Sequence, residues 1–213
     1  MKATYRNRHR KLPARLKLTS LLLIALAATS GNAMAGTCTE LPATFWNCTG
    51  AAGADASQNL NAGAGALTVT TSSPFGITTA VGNAFNLTAT TGITFTNSVA
   101  GAVITGDYSG IVARNTGAGA ISIDTGTAIV TGTNGFGIDA RNTAVGTDIS
   151  ITTGDVSGAF FGILGVNYGT GATTINSTAG NVFGVNFGQV VREVGEVVTC
   201  SKLDIAVQLT VYS

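Results

Sequence analysis

An apolar-Thr-apolar triplet returns about every 25 residues along this chain, and each copy is followed by a Gly-apolar step. The triplets are Leu67-Thr68-Val69, Ile93-Thr94-Phe95, Ile121-Ser122-Ile123, Ile149-Ser150-Ile151 and a degenerate Thr173-Thr174-Ile175. The steps are Gly76-Ile77, Gly110-Ile111, Gly137-Ile138, Gly162-Ile163 and Gly184-Val185. In four of the five, the residue before the glycine is aromatic: Phe75, Phe136, Phe161 and Phe183. A fixed period between 20 and 50 residues marks a stacked array, because one unit cannot bury its apolar side alone. The repeats preserve which positions are apolar, so biased composition does not account for them.

The period then selects the architecture. Glycine is abundant (29), proline scarce (3) and charge low (10%), which favours short strands joined by tight turns over helices. Successive triplets are 24 to 28 residues apart. A propeller blade needs about 40 residues, and the Leu ladder of a leucine-rich repeat is missing. Two or three short strands with their turns fill one coil of a right-handed parallel β-helix. The expected fold is therefore all-β, a right-handed parallel β-helix over residues 67–188. Ile and Phe ladders would run inside it and Thr ladders outside. In Ile111-Val112-Ala113-Arg114 and Ile138-Asp139-Ala140-Arg141 the Ile and Ala face one way and the charged residues the other. Both runs end in Asn (Asn115, Asn142), which suits a left-handed turn residue.

The two ends differ from the repeats. Seven of the eleven basic residues lie in the first 17 positions, followed by the apolar run Leu18 to Ala28 and by Ala33-Met34-Ala35. These are the three parts of a secretory signal peptide, expected as a helical leader over residues 1–35 and cut after Ala35. Residues 36–66 form a lead-in. In an exported, oxidising context Cys38 and Cys48 are expected to form a disulfide worth about 3 kcal/mol on the loop-entropy estimate. Residues 189–213 carry five charges and little glycine. They are expected to be a non-repeating tail with Cys200 unpaired.

Without its leader the chain has four basic and ten acidic residues, a net charge of −6. Such a chain has no electrostatic attraction for nucleic acid, which is not expected as a partner. Its single histidine, His9, lies in the leader, so Ser-His-Asp and Cys-His catalysis and His-based zinc sites are excluded from the remainder. Gly106-Asp107-Tyr108-Ser109-Gly110 superficially matches a nucleophile motif but lacks a base, and Ser109 sits where other repeats place Phe. It reads as a turn residue.

The long basic leader, the early Cys pair, and coils of the form Gly110-Ile-Val-Ala-Arg-Asn115 and Gly137-Ile-Asp-Ala-Arg-Asn142 resemble the start of bacterial autotransporter passenger domains. The resemblance covers residues 1–188. It implies a β-helical passenger carried through the outer membrane by a translocator barrel, with adhesion or surface display as its role. A barrel needs many strands of about ten residues, and only 25 residues follow the repeats. The chain therefore reads as a passenger truncated before its barrel, stopping in the periplasm unless another protein supplies the pore. The expected localisation is periplasm, cell surface or secreted, and the expected partner is a surface ligand or host component.

No catalytic residue, cofactor or metal ligand is assigned. Asp107, Asp124, Asp139, Asp148 and Asp155 are scattered through the repeats, whereas a β-helical polysaccharide lyase or hydrolase needs two acids and a basic residue converging on one face. That enzyme is the alternative reading, and a non-functional remnant is a third. Arg114 and Arg141 would stack in neighbouring coils, with Asp139 placed diagonally to relieve their repulsion. Phe75, Phe136, Phe161 and Phe183 are expected to form a buried core ladder. Facing outward, they would instead make a stripe for stacking against carbohydrate.

Overall fold

A computed structural model describes residues 36–41, 44–177, 179–194, 198–200 and 207–212, with side chains described up to residue 186. The expected signal-peptide helix lies in residues 1–35, outside the described residues. The chain begins with β1 (Thr37–Leu41), β2 (Phe45–Gly50) and β3 (Gln58–Asn61). Five coils of three strands follow. They are β4 (Leu67–Phe75), β5 (Ile77–Thr78) and β6 (Phe85–Ala89); then β7 (Ile93–Thr96), β8 (Val103–Gly106) and β9 (Ile111–Asn115). The third is β10 (Gly119–Asp124), β11 (Ile129–Gly132) and β12 (Ile138–Asn142). The fourth is β13 (Gly146–Thr152), β14 (Val156–Gly158) and β15 (Phe161–Asn167), and the fifth β16 (Thr173–Asn176), β17 (Val182–Gly184) and β18 (Phe187–Val194). Last come β19 (Val198–Cys200) and β20 (Val207–Tyr212). No helix occurs among the described residues.

Strands one coil apart pair in parallel and build three sheets around one core. Sheet A is β1-β2-β4-β7-β10-β13-β16-β19, sheet B is β5-β8-β11-β14-β17, and sheet C is β3-β6-β9-β12-β15-β18-β20. This is the parallel β-helix expected from the period. Its triplets fall in register: Leu67, Ile93, Ile121, Ile149 and Thr173 form one column of sheet A, and Val69, Phe95, Ile123, Ile151 and Ile175 another. The Thr or Ser between them points outward, as a period of two requires. Ile77, Ile104, Val130 and Val156 supply the core from sheet B. Phe85, Leu87, Ile111, Ala113, Ile138, Ala140 and Ile163 supply it from sheet C. Each large side chain fully removed from water contributes about 1.5–3 kcal/mol, and each needs the coil above and below to be removed from it.

Polar ladders hold two corners. After sheet C, Asn115, Asn142 and Asn167 occupy one buried column. Asn115 Nδ2 donates to Gly117 O, Gly119 O and Asn142 Oδ1, and Asn142 Nδ2 donates to Thr147 O and Asp148 O. These asparagines were expected as left-handed turn residues. They are not: among the described residues only Thr44 is a non-glycine with positive φ. Their value is the amide, which satisfies corner carbonyls turned away from water. After sheet A, Thr71 Oγ1 donates to Asn97 Oδ1, Asn97 Nδ2 to Thr125 O, and the Thr125 and Thr153 hydroxyls share a hydrogen bond. At the corner after sheet B the chain turns tightly over Gly106, Gly132 and Gly158. A Cβ on Gly132 would collide with the backbone carbonyl of Phe136, and equivalent collisions occur at the other two.

At both ends parallel pairing extends beyond residues 67–188, and the disulfide expected between Cys38 and Cys48 is present. The lead-in already winds as a coil: β2 pairs with β4, Asp55 bridges Thr79, and β3 pairs with β6. The antiparallel strand β1 covers the outer edge of β2, and Cys38 is bonded to Cys48 directly across that pair. An otherwise open edge is thereby closed. At the other end, backbone pairing continues through the segment expected to be non-repeating. β18 pairs with β15 and β20, and β19 pairs with β16, placing Cys200 in register with Ile175. Val198-Thr199-Cys200 is a sixth apolar-Thr-apolar triplet, with Cys as its second small apolar residue.

Candidate surface site

Because the inward positions are committed to the core, any function must be carried by the outward positions of the three sheets. On sheet A these form two polar rows. One is Thr68, Thr94, Ser122, Ser150 and Thr174; the other is Thr70, Thr96, Asp124, Thr152 and Asn176. This is the outer Thr ladder the triplets imply. Sheet C starts polar, with Asn59 and Asn86, while on β15 Leu164 and Val166 are buried in a small second apolar cluster with Phe136 and Phe161. On sheet B the outward rows are Val103, Ile129, Asp155 and Asn181, and Thr78, Thr105, Thr131, Ser157 and Phe183.

The carboxylates are dispersed, and most are engaged by the backbone. Asp55 accepts from the N–H groups of Gly36, Gly53 and Thr78. Asp124, Asp148 and Asp155 accept from those of Gly126, Ala172 and Asn181. Asp107 accepts from the Asn134 amide at 3.2 Å. Such bonds fasten turns. Ser109 is buried, and its Oγ accepts from Phe136 N–H while its own N–H donates to Asn83 Oδ1. It is the turn residue that the missing base suggested.

One convergence of charge does occur. Asp139 on β12 is 2% exposed and meets Arg114 Nη2 at 2.5 Å and Arg141 Nε at 2.9 Å. The diagonal arrangement is the one expected from the stacked arginines, but the carboxylate is buried and not a surface group. Arg114 also donates to Asp139 O, tying the two coils together. Among the described residues this cluster holds a single carboxylate, engaged by two guanidinium groups. Among the described residues no group of three or more His, Cys, Asp or Glu gathers to hold a metal ion.

The four phenylalanines expected as one core ladder are separated by the fold. Phe75 is buried and lies 6.1 Å from Phe85, ring centre to ring centre. Phe136 and Phe161 are half-buried at the corner after sheet B, stacked at 5.7 Å, and continue in register to Phe187. Phe183 is in neither group: it pairs with Ser157 on sheet B, points outward and is 57% exposed. The core aromatic that the sequence reading does not single out is Phe85, which lies edge-on to Phe95 at 5.2 Å. The aromatic-Gly spacing misled because corners differ in length. Phe136 follows the sheet B glycine Gly132, whereas Phe183 precedes the equivalent Gly184. Counting alternation from Val182 would have placed Phe183 outside.

Phe183 forms one wall of a hollow of about 260 Å³ on sheet B, shared with Ile129, Asp155, Val156, Ser157 and Asn181. Asp155 and Asn181 stand side by side in one outward row, Asp155 Oδ1 accepting from Asn181 N–H at 2.8 Å. Ser157 donates to Thr131 Oγ1 beside them. An exposed aromatic ring, an exposed isoleucine, a carboxylate and a carboxamide thus meet on one face. Compared with protein-family models, with the curated proteins and with the solved structures, the chain matches none.

Proposed function

We propose that this chain is an exported, non-catalytic surface protein of the autotransporter-passenger kind, acting by contact through the outer faces of its sheets. The observation that carries this reading is the outward side of sheet A, where hydroxyl and amide side chains continue from coil to coil in two rows. A regular, polar and largely uncharged surface meets a partner over area, with many weak hydrogen bonds and little desolvation of charge. The basic and apolar leader supports export, and the Cys38–Cys48 bond suits an oxidising compartment. On this reading a translocator barrel carries the chain outward, and its partner is a component of a host or neighbouring surface.

The test is made on native cells producing the full chain. Protease added outside should digest it from intact cells, and those cells should adhere to matrix-coated or epithelial surfaces better than cells lacking it. A pool that is digested only after the outer membrane is opened, with adhesion unchanged, would overturn the proposal.

A further inference from the structure

We infer that the hollow on sheet B is a binding site for a neutral pyranose, with the Phe183 ring stacked on a C–H face of the sugar and Asp155 and Asn181 holding its hydroxyls. The inference deepens the contact reading and rests on it. The row containing Phe183 is otherwise Thr78, Thr105, Thr131 and Ser157, all small and polar. Replacing the next hydroxyl by an aromatic ring 57% open to solvent gives nothing to the core. Such a ring offers a flat apolar surface, which is what the axial C–H side of a pyranose presents. A sugar's rim of hydroxyls needs the opposite chemistry within a few ångströms. Asp155 spends one oxygen on Asn181 N–H, and a carboxylate has about four lone-pair sites. Asp155 Oδ2 and the Asn181 side-chain amide make no hydrogen bond among the described residues. One is an acceptor and the other both donor and acceptor, the pair needed for adjacent hydroxyls.

Size and charge narrow the ligand. A volume of about 260 Å³ lies just below the roughly 300–1,000 Å³ of sites for drug-sized molecules, so the hollow takes one ring, with further sugar units extending outside it. Among the described residues no lysine or arginine lines it, and Asp155 would repel a uronate or sialic acid. Neutral hexoses and N-acetylhexosamines remain. Ile129, exposed in the outward row, provides an aliphatic surface on which an acetyl methyl or C6 can rest.

Saturation-transfer-difference NMR on the purified full chain, with maltose, cellobiose, lactose, diacetylchitobiose and digalacturonate as probes, tests the site. At least one neutral disaccharide should receive saturation at its ring C–H protons, with a dissociation constant on the order of millimolar and digalacturonate silent. Phe183→Ala and Phe183→Leu should each weaken binding at least tenfold while circular dichroism stays unchanged. Asp155→Asn, which keeps an acceptor for Asn181 N–H, should weaken it several-fold. Silence of every neutral probe, equal binding by Phe183→Ala, or preference for digalacturonate would each overturn the inference. Adhesion in native cells separates the two levels. If the wild type adheres and Phe183→Ala adheres equally, the sugar site is wrong and the contact reading stands. If the wild type does not adhere, the contact reading is wrong whatever the NMR shows.

Discussion

Replacing Asn142 by Ala should cost about 2–4 kcal/mol, although the residue is polar and stands at the very end of β12. Its amide is 1% exposed. It donates to Thr147 O at 3.1 Å and to Asp148 O at 3.0 Å, and it accepts from Asn115 Nδ2 at 3.1 Å. Three net bonds at about 0.5–1.5 kcal/mol each give the scale. The neighbours soften part of the loss, since Thr147 O keeps Asn167 Nδ2 and Asn115 Nδ2 keeps Gly117 O and Gly119 O. Among the described residues Asp148 O has no such second side-chain donor, and the vacated space adds a cavity cost. In a protein of this size 1 kcal/mol moves the melting temperature by about 2–4 °C. Urea unfolding of the purified chain, followed by far-UV circular dichroism, should show a lower midpoint with an unchanged slope. Asn142→Asp at neutral pH should cost at least as much, because a carboxylate cannot donate and would face carbonyl oxygens. A double-mutant cycle with Asn115→Ala should give a coupling above about 0.5 kcal/mol. A loss below about 0.5 kcal/mol for Asn142→Ala would show that the ladder is dispensable and refute the argument.

Three further outcomes check other parts of the fold by the same unfolding measurement. Phe85→Ala, at a fully buried ring, should cost roughly 3–5 kcal/mol, whereas Phe183→Ala should stay within about 0.5 kcal/mol; similar losses at both would contradict the assignment of inside and outside. Gly132→Ala should destabilise by about 1–3 kcal/mol, because the added methyl meets the Phe136 carbonyl within a closed corner, and an unchanged midpoint would mean the corner opens freely. Thr173→Val should stabilise by about 1 kcal/mol: Thr173 stands in the Ile149 column, fully buried, with a hydroxyl that finds no partner among the described residues. A lower midpoint for that variant would point to an unseen partner for the hydroxyl.

How much was legible in advance depends on the distance over which each signal acts. The triplets could be read because alternation within a strand is local and their spacing preserves it. Val69, Phe95, Ile123, Ile151 and Ile175 were picked out by sequence and are stacked in the structure. The Gly-apolar steps looked equally regular but do not form one column. Ile77 pairs with Ile104 on sheet B, while Ile111, Ile138 and Ile163 stack on sheet C. Asn115 shows the same limit. Its position at a strand end was visible, but its use was not, because the carbonyls it serves belong to the following turn and its amide partner to the next coil.

The amino-acid order by itself settled that the backbone winds and stacks: alternating apolar residues at a near-constant period have no other way to leave water. It also settled which chemistry is missing, since a chain with its one histidine at position 9 cannot build a histidine-based site in its repeats. Only the tertiary structure decided which aromatics face the core, where the coils begin and end, and that Asp155, Asn181 and Phe183 share a hollow. The reason is parity. Side-chain direction is fixed from one residue to the next inside a strand, but every corner of variable length resets it, and only pairing with the neighbouring coil restores the count.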